Sequence, residues 1–323
     1  MRAFSWRLTP MAAMIRSAVV TILLCGALRL CCAQGLSPRA YVIAPTHANA
    51  VTLTYQLQDG DVVFDPSLPI ADTHGRISTL HLGYFHTFSF FGRSANFTAV
   101  LPYGVGHFQG VVNEIPVKVY RSGLAPTTLR FSVNVHGAPA MEPQAFAKWR
   151  QKLLIGTSLV VSPPTGQYDP ARFINIGSNR WAFRPEVGLS RRWGNWILDA
   201  YAAVWFFTPN NDFFSSARVS HGPNRQTQEP MGATEFHLSY NVSPRSWVSL
   251  DGNYWYGGET SVNGVVTPTT LQSNSRIGAT GSFPVSKHQS IKVSYSNGTY
   301  VRFGGDYQSV SVAWQYSWLR RPN

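Results

Sequence analysis

Apolar side chains alternate with small or polar ones along most of the chain, in segments of about ten residues. Near the C-terminus this alternation places five apolar side chains on one face: Val310, Val312, Trp314, Tyr316 and Trp318. A repeat of two residues is that of a β-strand. About ten residues is also the length of a tilted strand that crosses a membrane. The pattern therefore predicts membrane-spanning strands with one apolar face each.

Twelve segments follow this alternation, and an even number is what a single-chain bacterial barrel with both termini on one side requires. A missed or merged pair of strands would change the count to ten or fourteen. The predicted fold class is all-β, a transmembrane antiparallel up-and-down β-barrel. The segments are residues 50–58, 77–90, 94–103, 127–135, 153–162, 181–190, 196–207, 231–241, 247–256, 273–283, 290–296 and 307–318.

The connections between these segments alternate between short turns and long loops rich in Gly, Pro and Asn. This asymmetry is typical of outer-membrane barrels, which have short turns in the periplasm and long loops outside the cell. One periplasmic connection, residues 136–151, is longer, and its residues 142–149 predict a short helix with proline in the first turn. The predicted long loops are residues 59–76, 104–126, 163–180, 208–230, 257–272 and 297–306.

The first 33 residues have the features of a cleaved secretory signal peptide. Arginines precede an apolar run at 17–28, and Ala33 is a small residue before a cut near Gln34. The alternative, one anchoring helix, is disfavoured because Arg29 interrupts the run, which is short for a membrane span. Residues 34–323 are then the barrel, with residues 34–49 as a candidate N-terminal plug segment.

Composition narrows the class further. Aromatic and charged residues each make up 13% of the chain, which favours strands over long charged helices. All three cysteines lie in the predicted signal peptide, so an exported disulfide scaffold is excluded. The net charge of +12 is spread along the chain, so nucleic acid is not an expected partner. A soluble secreted sandwich remains the alternative fold, although sandwiches prefer shorter and fewer strands.

Several predicted strands carry charged residues on the face opposite the apolar one. A charge at membrane depth is costly unless it faces the lumen and is paired. We therefore expect a lumenal ladder of salt bridges, which either braces the wall or forms a constriction that selects solutes. Three aromatic residues, Tyr201, Trp205 and Trp255, are the expected aromatic lining. The charged candidates are Arg184, Glu186, Asp199, Glu235, Asp251, Arg276 and Lys292.

Motifs for enzymatic chemistry are missing from the sequence. It contains no nucleophile elbow, no zinc-protease helix motif and no phosphate-binding glycine loop. Glu235 and His237 could form an acid–base pair, but without a matched nucleophile a lumenal salt bridge is the preferred interpretation. The sequence therefore predicts no enzyme, no cofactor and no metal site.

Short motifs are spread over nearly the whole chain: SPRAY at 37–41, FDPSLP at 64–69, FGRSA at 91–95, RSGL at 121–124, SVNVHGAPA at 132–140, PTGQYDP at 164–170, NRWAF at 179–183, VWFFT at 204–208, QSNSR at 272–276 and AWQY at 313–316. Together these motifs resemble the family of transporters assigned to the meta-pathway of phenol degradation. This resemblance implies a bacterial outer-membrane barrel, distantly similar to the long-chain fatty-acid transporters, that admits aromatic or other hydrophobic compounds.

The expected function is passive uptake of hydrophobic or aromatic small molecules across the outer membrane. The alternatives are a structural or surface-interaction barrel without transport, and a general porin. The expected partners are outer-membrane lipid and lipopolysaccharide, the solute itself, and the outer-membrane assembly machinery, which would recognise the C-terminal strand. The expected location is the bacterial outer membrane.

Overall fold

The computed structural model describes residues 36–62, 70–112, 115–172, 174–214 and 224–320. The predicted signal peptide lies outside these residues. Among the described residues, no helix is long and apolar enough to cross a membrane.

Antiparallel strands make up most of the described chain. One short helix, α1 (Pro143–Lys148), and one 3-10 turn (Pro268–Thr270) accompany them. The strands are β1 (Ala48–Val62), β2 (Ile70–Phe90), β3 (Arg93–Val112), β4 (Ile115–Leu124), β5 (Thr128–His136), β6 (Leu153–Ser162), β7 (Ala182–Trp193), β8 (Trp196–Phe207), β9 (Asn210–Phe213), β10 (Asn224–Gln228), β11 (Met231–Asn241), β12 (Trp247–Gly257), β13 (Thr260–Val262), β14 (Val265–Thr267), β15 (Gln272–Pro284), β16 (Gln289–Val301) and β17 (Gly305–Leu319).

The main sheet closes on itself into a barrel of twelve strands. The first strand, β1, pairs with β2 on one side and with β17 on the other, and the register of the closing pair joins Ala48 to Leu319. Closure through the β1–β17 and β2–β3 pairs gives the other wall strands backbone partners on both sides, while β4 pairs with β3 alone among the described strands. The predicted fold class and strand count are confirmed.

One of the twelve wall positions is shared by two strands. The half of β3 at Ala95–Val100 pairs with β5, and the half at Tyr103–Val112 pairs with β4. Pro126 lies in the break between β4 and β5. Proline has no backbone N–H to donate, so it fits a position where the ladder is interrupted. The hairpin of β3 and β4 thus extends the wall beyond its neighbours.

The prediction of a loop at residues 104–126 is therefore wrong, because most of these residues are in strands β3 and β4. The same holds for residues 297–306, since β16 continues to Val301 and β17 begins at Gly305. Glycine and proline in these segments suggest turns, but the hydrogen-bond ladder continues beyond the apolar belt wherever both backbones remain extended. The loops 208–230 and 257–272 also contribute a small separate sheet, in the order β14, β13, β10, β9.

The outer face of the barrel is apolar, as contact with lipid requires. Large apolar side chains are exposed on almost every wall strand, with tyrosines and tryptophans near the strand ends. Examples are Leu53, Leu82, Leu101, Val187, Phe236, Leu250, Tyr254, Ile277, Val293 and Trp314. The buried side chains are in large part polar and face inward. A closed barrel with an apolar belt and a polar interior has the architecture of a protein of the bacterial outer membrane.

At the short-turn end, α1 lies where a helix is predicted, with proline in its first turn. Residues flanking the helix pack against the barrel floor, where Ile43, Ala138 and Leu154 form a small buried cluster. Phe146 of the helix and Trp149 cover this cluster. This contact fixes the point at which the N-terminal chain enters the barrel.

Candidate functional site

Residues 36–47, called here the N-terminal segment, contact side chains that face the lumen. The backbone N–H of Arg39 donates to Asp199 Oδ2 at 3.1 Å, and the backbone N–H of Ala40 donates to the Tyr201 hydroxyl at 3.0 Å. The Arg39 guanidinium donates to Asn241 Oδ1 at 2.9 Å. These contacts place the segment inside the barrel against β8 and β11.

The side chain of Tyr41 is fully buried in a slot in the inner wall. Gly156 of β6 and Gly188 of β7 are directly paired and form the floor of this slot. A Cβ atom at Gly156 or Gly188 would lie 2.2 or 2.0 Å from the Tyr41 ring, far inside van der Waals contact. The slot therefore depends on glycine at both positions.

Polar contacts also hold Tyr41 in place. Its hydroxyl donates to Glu186 Oε1 at 2.9 Å, and the Arg130 guanidinium lies 5.0 Å from the ring centroid. The Tyr41 ring meets Tyr201 edge-on, with centroids 5.2 Å apart. Asn134 donates to the Tyr41 carbonyl at 3.3 Å. The segment is thus hydrogen-bonded to the wall as well as packed against it.

A chain of ion pairs runs around this half of the lumen. The first part joins three strands: Arg130 lies 3.1 Å from Glu186, and Arg184 lies 3.3 Å from Glu186 and 3.5 Å from Glu235. All four side chains are buried or nearly so, because they face the interior. Each carboxylate has a cation beside it, as buried charge requires.

The chain of ion pairs continues through His237. Its Nε2 lies 3.4 Å from Glu235 Oε2, and its Nδ1 lies 2.9 Å from Asp251 Oδ1. Thr280 donates to the other oxygen of Asp251 at 2.8 Å. The ladder of titratable groups therefore extends from Arg130 on β5 to Asp251 on β12, and a hydrogen bond from Thr280 joins it to β15.

Four of the seven charged candidates meet in this ladder: Arg184, Glu186, Glu235 and Asp251. Asp199 instead accepts the backbone N–H of Arg39. Arg276 donates to Ser296 at 3.1 Å and to the carbonyl of Tyr307 at 2.7 Å. Lys292 points into the open part of the lumen, which is described below.

Three functional positions were not anticipated from the sequence: Arg39, Tyr41 and Arg130. Arg130 lies on the inward face of an alternating segment, so its place in the alternation could have identified it as a lumenal residue. Arg39 and Tyr41 lie before the first strand, where no repeat indicates which way a side chain points.

The predicted aromatic lining differs from the observed one. Tyr201 and Trp255 face inward but are 3% and 2% exposed, so they are packed and do not border open space. Trp205 stacks on Phe207 with centroids 6.1 Å apart and packs with Trp255 on Met231. The sequence shows which strand face is inward, but it does not show which inward side chains are covered.

Cations cap this aromatic cluster towards the loops. Arg184 lies 5.1 Å from the Trp205 ring, and Arg180, in the loop before β7, lies 4.7 Å from the Phe207 ring. Burial lowers the pKa of Arg180 to about 10, which still leaves it charged at neutral pH. Two cations thus lie over the rings of this cluster.

The other half of the lumen holds a cavity of about 430 Å³. It lies between the start of the N-terminal segment, at Leu36 and Ser37, and the inner faces of β1–β3 and β15–β17. Hydroxyl side chains dominate its lining: Thr52, Thr54, Thr98, Thr280, Ser294, Ser296, Ser309 and Ser311. This cavity is the open space inside the barrel where a solute could be accommodated.

Among the residues that the structure describes, no group of three or more His, Asp, Glu or Cys side chains is arranged to hold a metal ion.

A family model described as "Putative MetA-pathway of phenol degradation" matches residues 51–317. The chain belongs to this family.

Solved structures with the same architecture include a COG4313 outer membrane channel from Pseudomonas putida F1. That chain is 15% identical, with a TM-score of 0.71, and the match covers 88% of the present chain and all of the other. The transport unit of the autotransporter AIDA-I from Escherichia coli is 9% identical, with a TM-score of 0.49 and coverages of 95% and 98%. A monoaromatic hydrocarbon channel, CymD, is 7% identical, with a TM-score of 0.38 and coverages of 85% and 90%. No curated protein sequence matches the chain.

Proposed function

We propose that the protein is a passive channel of the bacterial outer membrane that admits aromatic small molecules. The observation that carries this proposal is the cavity of about 430 Å³ beside the N-terminal segment. Its size is within the range of about 300–1,000 Å³ that is typical of small-molecule pockets. A barrel that serves only as a scaffold has no need of such a space.

Two further observations support transport of aromatic compounds. The family to which the chain belongs is described by a pathway of phenol degradation. The COG4313 protein with the same fold is described as an outer membrane channel. Both statements concern relatives: for this chain the family description supports aromatic compounds as the class of solute, and the COG4313 structure supports a channel.

We propose that the N-terminal segment is the plug of this channel. It fills the side of the lumen that the charge ladder braces and leaves the hydroxyl-lined side open. Solutes then pass along the wall formed by β1–β3 and β15–β17. Lipid and lipopolysaccharide surround the belt, and the C-terminal strand β17 is the segment that the assembly machinery would recognise. No catalytic role is proposed for the ladder.

Swelling of proteoliposomes tests this function. Arbutin, a phenol glucoside, and methyl glucoside are both neutral and cross lipid slowly. We expect arbutin to enter faster than the smaller methyl glucoside, because the channel favours an aromatic ring. Faster entry of methyl glucoside would indicate a general porin. Swelling equal to that of protein-free vesicles for both solutes would indicate a barrel without transport.

A further inference from the structure

The cavity beside the N-terminal segment contains a cation without a partner. Lys292 on β16 lines the cavity and is accessible to solvent. Among the described residues it makes no hydrogen bond or ion pair. The other lumenal cations differ, since Arg39, Arg130, Arg184 and Arg276 are each bound to the wall or to the segment.

The cavity wall holds no carboxylate that could neutralise this ammonium group. None of the lining side chains is acidic. The carboxylate that comes closest along the wall is Asp251, and His237 and Thr280 already hold its two oxygens. Asp251 therefore acts on Lys292 only through space, and no carboxylate of the described residues contacts the ammonium group.

Strand register shows how the polar end of the cavity is built. Lys292 pairs with Ala313, Ala313 with Thr54, and Thr54 with His81, so these four side chains form one row across β16, β17, β1 and β2. The two central members are small, which leaves space between the basic side chains at the ends. His81 Nε2 is buried and has no hydrogen-bond partner among the described residues.

The cavity is polar on one side and apolar on another. Serine hydroxyls on β16 and β17, at Ser294 and Ser311 next to the Lys292 row, are available as hydrogen-bond donors. Across the cavity, Phe85 on β2 and Val100 on β3 offer apolar surface, together with Leu36 of the N-terminal segment. A ligand with a planar apolar body and one anionic group matches this arrangement.

We infer that the cavity is a binding site for aromatic carboxylates, with Lys292 bound to the carboxylate and Phe85 and Val100 against the ring. This inference rests on the proposed channel and names the class of solute that it favours. Charge-assisted hydrogen bonds from an ammonium group are stronger than neutral ones, so the anion is retained over a neutral aromatic of the same size. Weak, single-site retention of this kind is compatible with passage.

Equilibrium dialysis of the detergent-solubilised protein against benzoate and benzyl alcohol tests the site without requiring conduction. The two probes share a ring and differ in charge. We expect tighter binding of benzoate, and we expect Lys292→Gln to weaken benzoate binding about tenfold, the factor for loss of one charge-assisted hydrogen bond. Binding of benzyl alcohol should not change.

The matched control is Lys287→Gln, which removes the same charge from the same hairpin at an exposed turn outside the cavity. It should bind benzoate like the wild type. Heat-modifiable migration in SDS gels confirms that each variant is a folded barrel. Unchanged benzoate binding by Lys292→Gln, equal loss in both variants, or no preference for benzoate in the wild type would overturn the site.

This test separates failure of the site from failure of the channel. Arbutin entry without benzoate binding would leave the channel in place and refute the carboxylate site. Benzoate binding that depends on Lys292, without arbutin entry or conductance, would support the site and refute the channel.

Discussion

The Tyr41 hydroxyl donates a hydrogen bond to Glu186, 2.9 Å away, and so ties the N-terminal segment to the charge ladder of the lumen. Glu186 also pairs with Arg130 and Arg184, so one carboxylate serves both the segment and the wall. The position of the segment and the electrostatics of the barrel are therefore coupled. A substitution at Tyr41 or Glu186 should therefore alter both the position of the segment and the electrostatics of the lumen.

Filling the glycine slot should displace the segment. In Gly188→Ala the new methyl group would overlap the Tyr41 ring, so we expect Tyr41 to leave the slot and the lumen to widen. Single-channel conductance should rise above that of the wild type. Gly252→Ala is the control, because its Cβ would lie 3.7 Å from the nearest atom. Equal conductance in both variants would argue against a plug held at this slot.

Neutralising the shared carboxylate should destabilise the barrel. In Glu186→Gln, Arg130 loses its charged partner and Arg184 keeps only Glu235, so we expect a loss of about 1–3 kcal/mol in the free energy of unfolding. Urea unfolding in lipid vesicles measures this loss. Glu229→Gln removes a carboxylate from an exposed loop and should be neutral. If both variants unfold at the same urea concentration, the ladder does not brace the wall.

A charge on the apolar belt should be costly at membrane depth. Leu250 is 68% exposed near the middle of β12, so Leu250→Arg should lower the free energy of unfolding by about 2–4 kcal/mol. Val265 is 72% exposed but lies in the small sheet outside the belt. Val265→Arg should therefore change stability little. A similar cost at both positions would mean that Leu250 does not face lipid.

The pKa of His74 should lie above the ordinary value for histidine. His74 lies beyond the belt, with Nδ1 3.0 Å from Asp61 and Nε2 2.6 Å from Asp59, which also pairs with Arg76. The hydrogen bond that His74 makes to Asp61 has the largest effect and raises its pKa. Burial lowers the pKa, and the hydrogen bond to Asp59 raises it further. Because the pKa of His74 is raised in the folded state, protonation of His74 stabilises the fold. This stabilisation is complete below about pH 6.5 and is lost as the pH rises through the pKa of His74 in the folded protein.

An NMR titration of the His74 ring measures this pKa directly. Asp61→Asn should move it down towards the ordinary value, while Glu229→Gln, in the exposed loop between β10 and β11, is the comparison for a general loss of charge. No difference between Asp61→Asn and the wild type would contradict the assigned pairing.

Much of the fold could be predicted from the sequence, because a repeat of two fixes both the strand and its inward face. Arg184, Glu186, Glu235 and Asp251 were placed in the lumen by parity alone, and they lie there in a connected ladder. The alternation could not show that Trp255 is covered, because its burial depends on which side chains of β11 and β8 pack against it. It also gave no information on Tyr41, which lies outside any strand.

Strand length was the least predictable feature. Residues 104–124 contain glycines that suggest a loop, yet they form the outer hairpin of β3 and β4. Beyond the lipid belt neither face needs to be apolar, so alternation fades while backbone pairing continues. Lys292 illustrates the same limit inside the barrel, since the sequence assigned it to a paired ladder and it stands alone in the cavity.

The most direct test of a passive channel is the single-channel conductance of the folded wild-type protein in a planar bilayer. The account predicts stable ohmic steps, because the proposed route for solutes runs through the cavity beside the N-terminal segment, along β1–β3 and β15–β17. Silence from protein shown to be folded by its migration in SDS gels would contradict it.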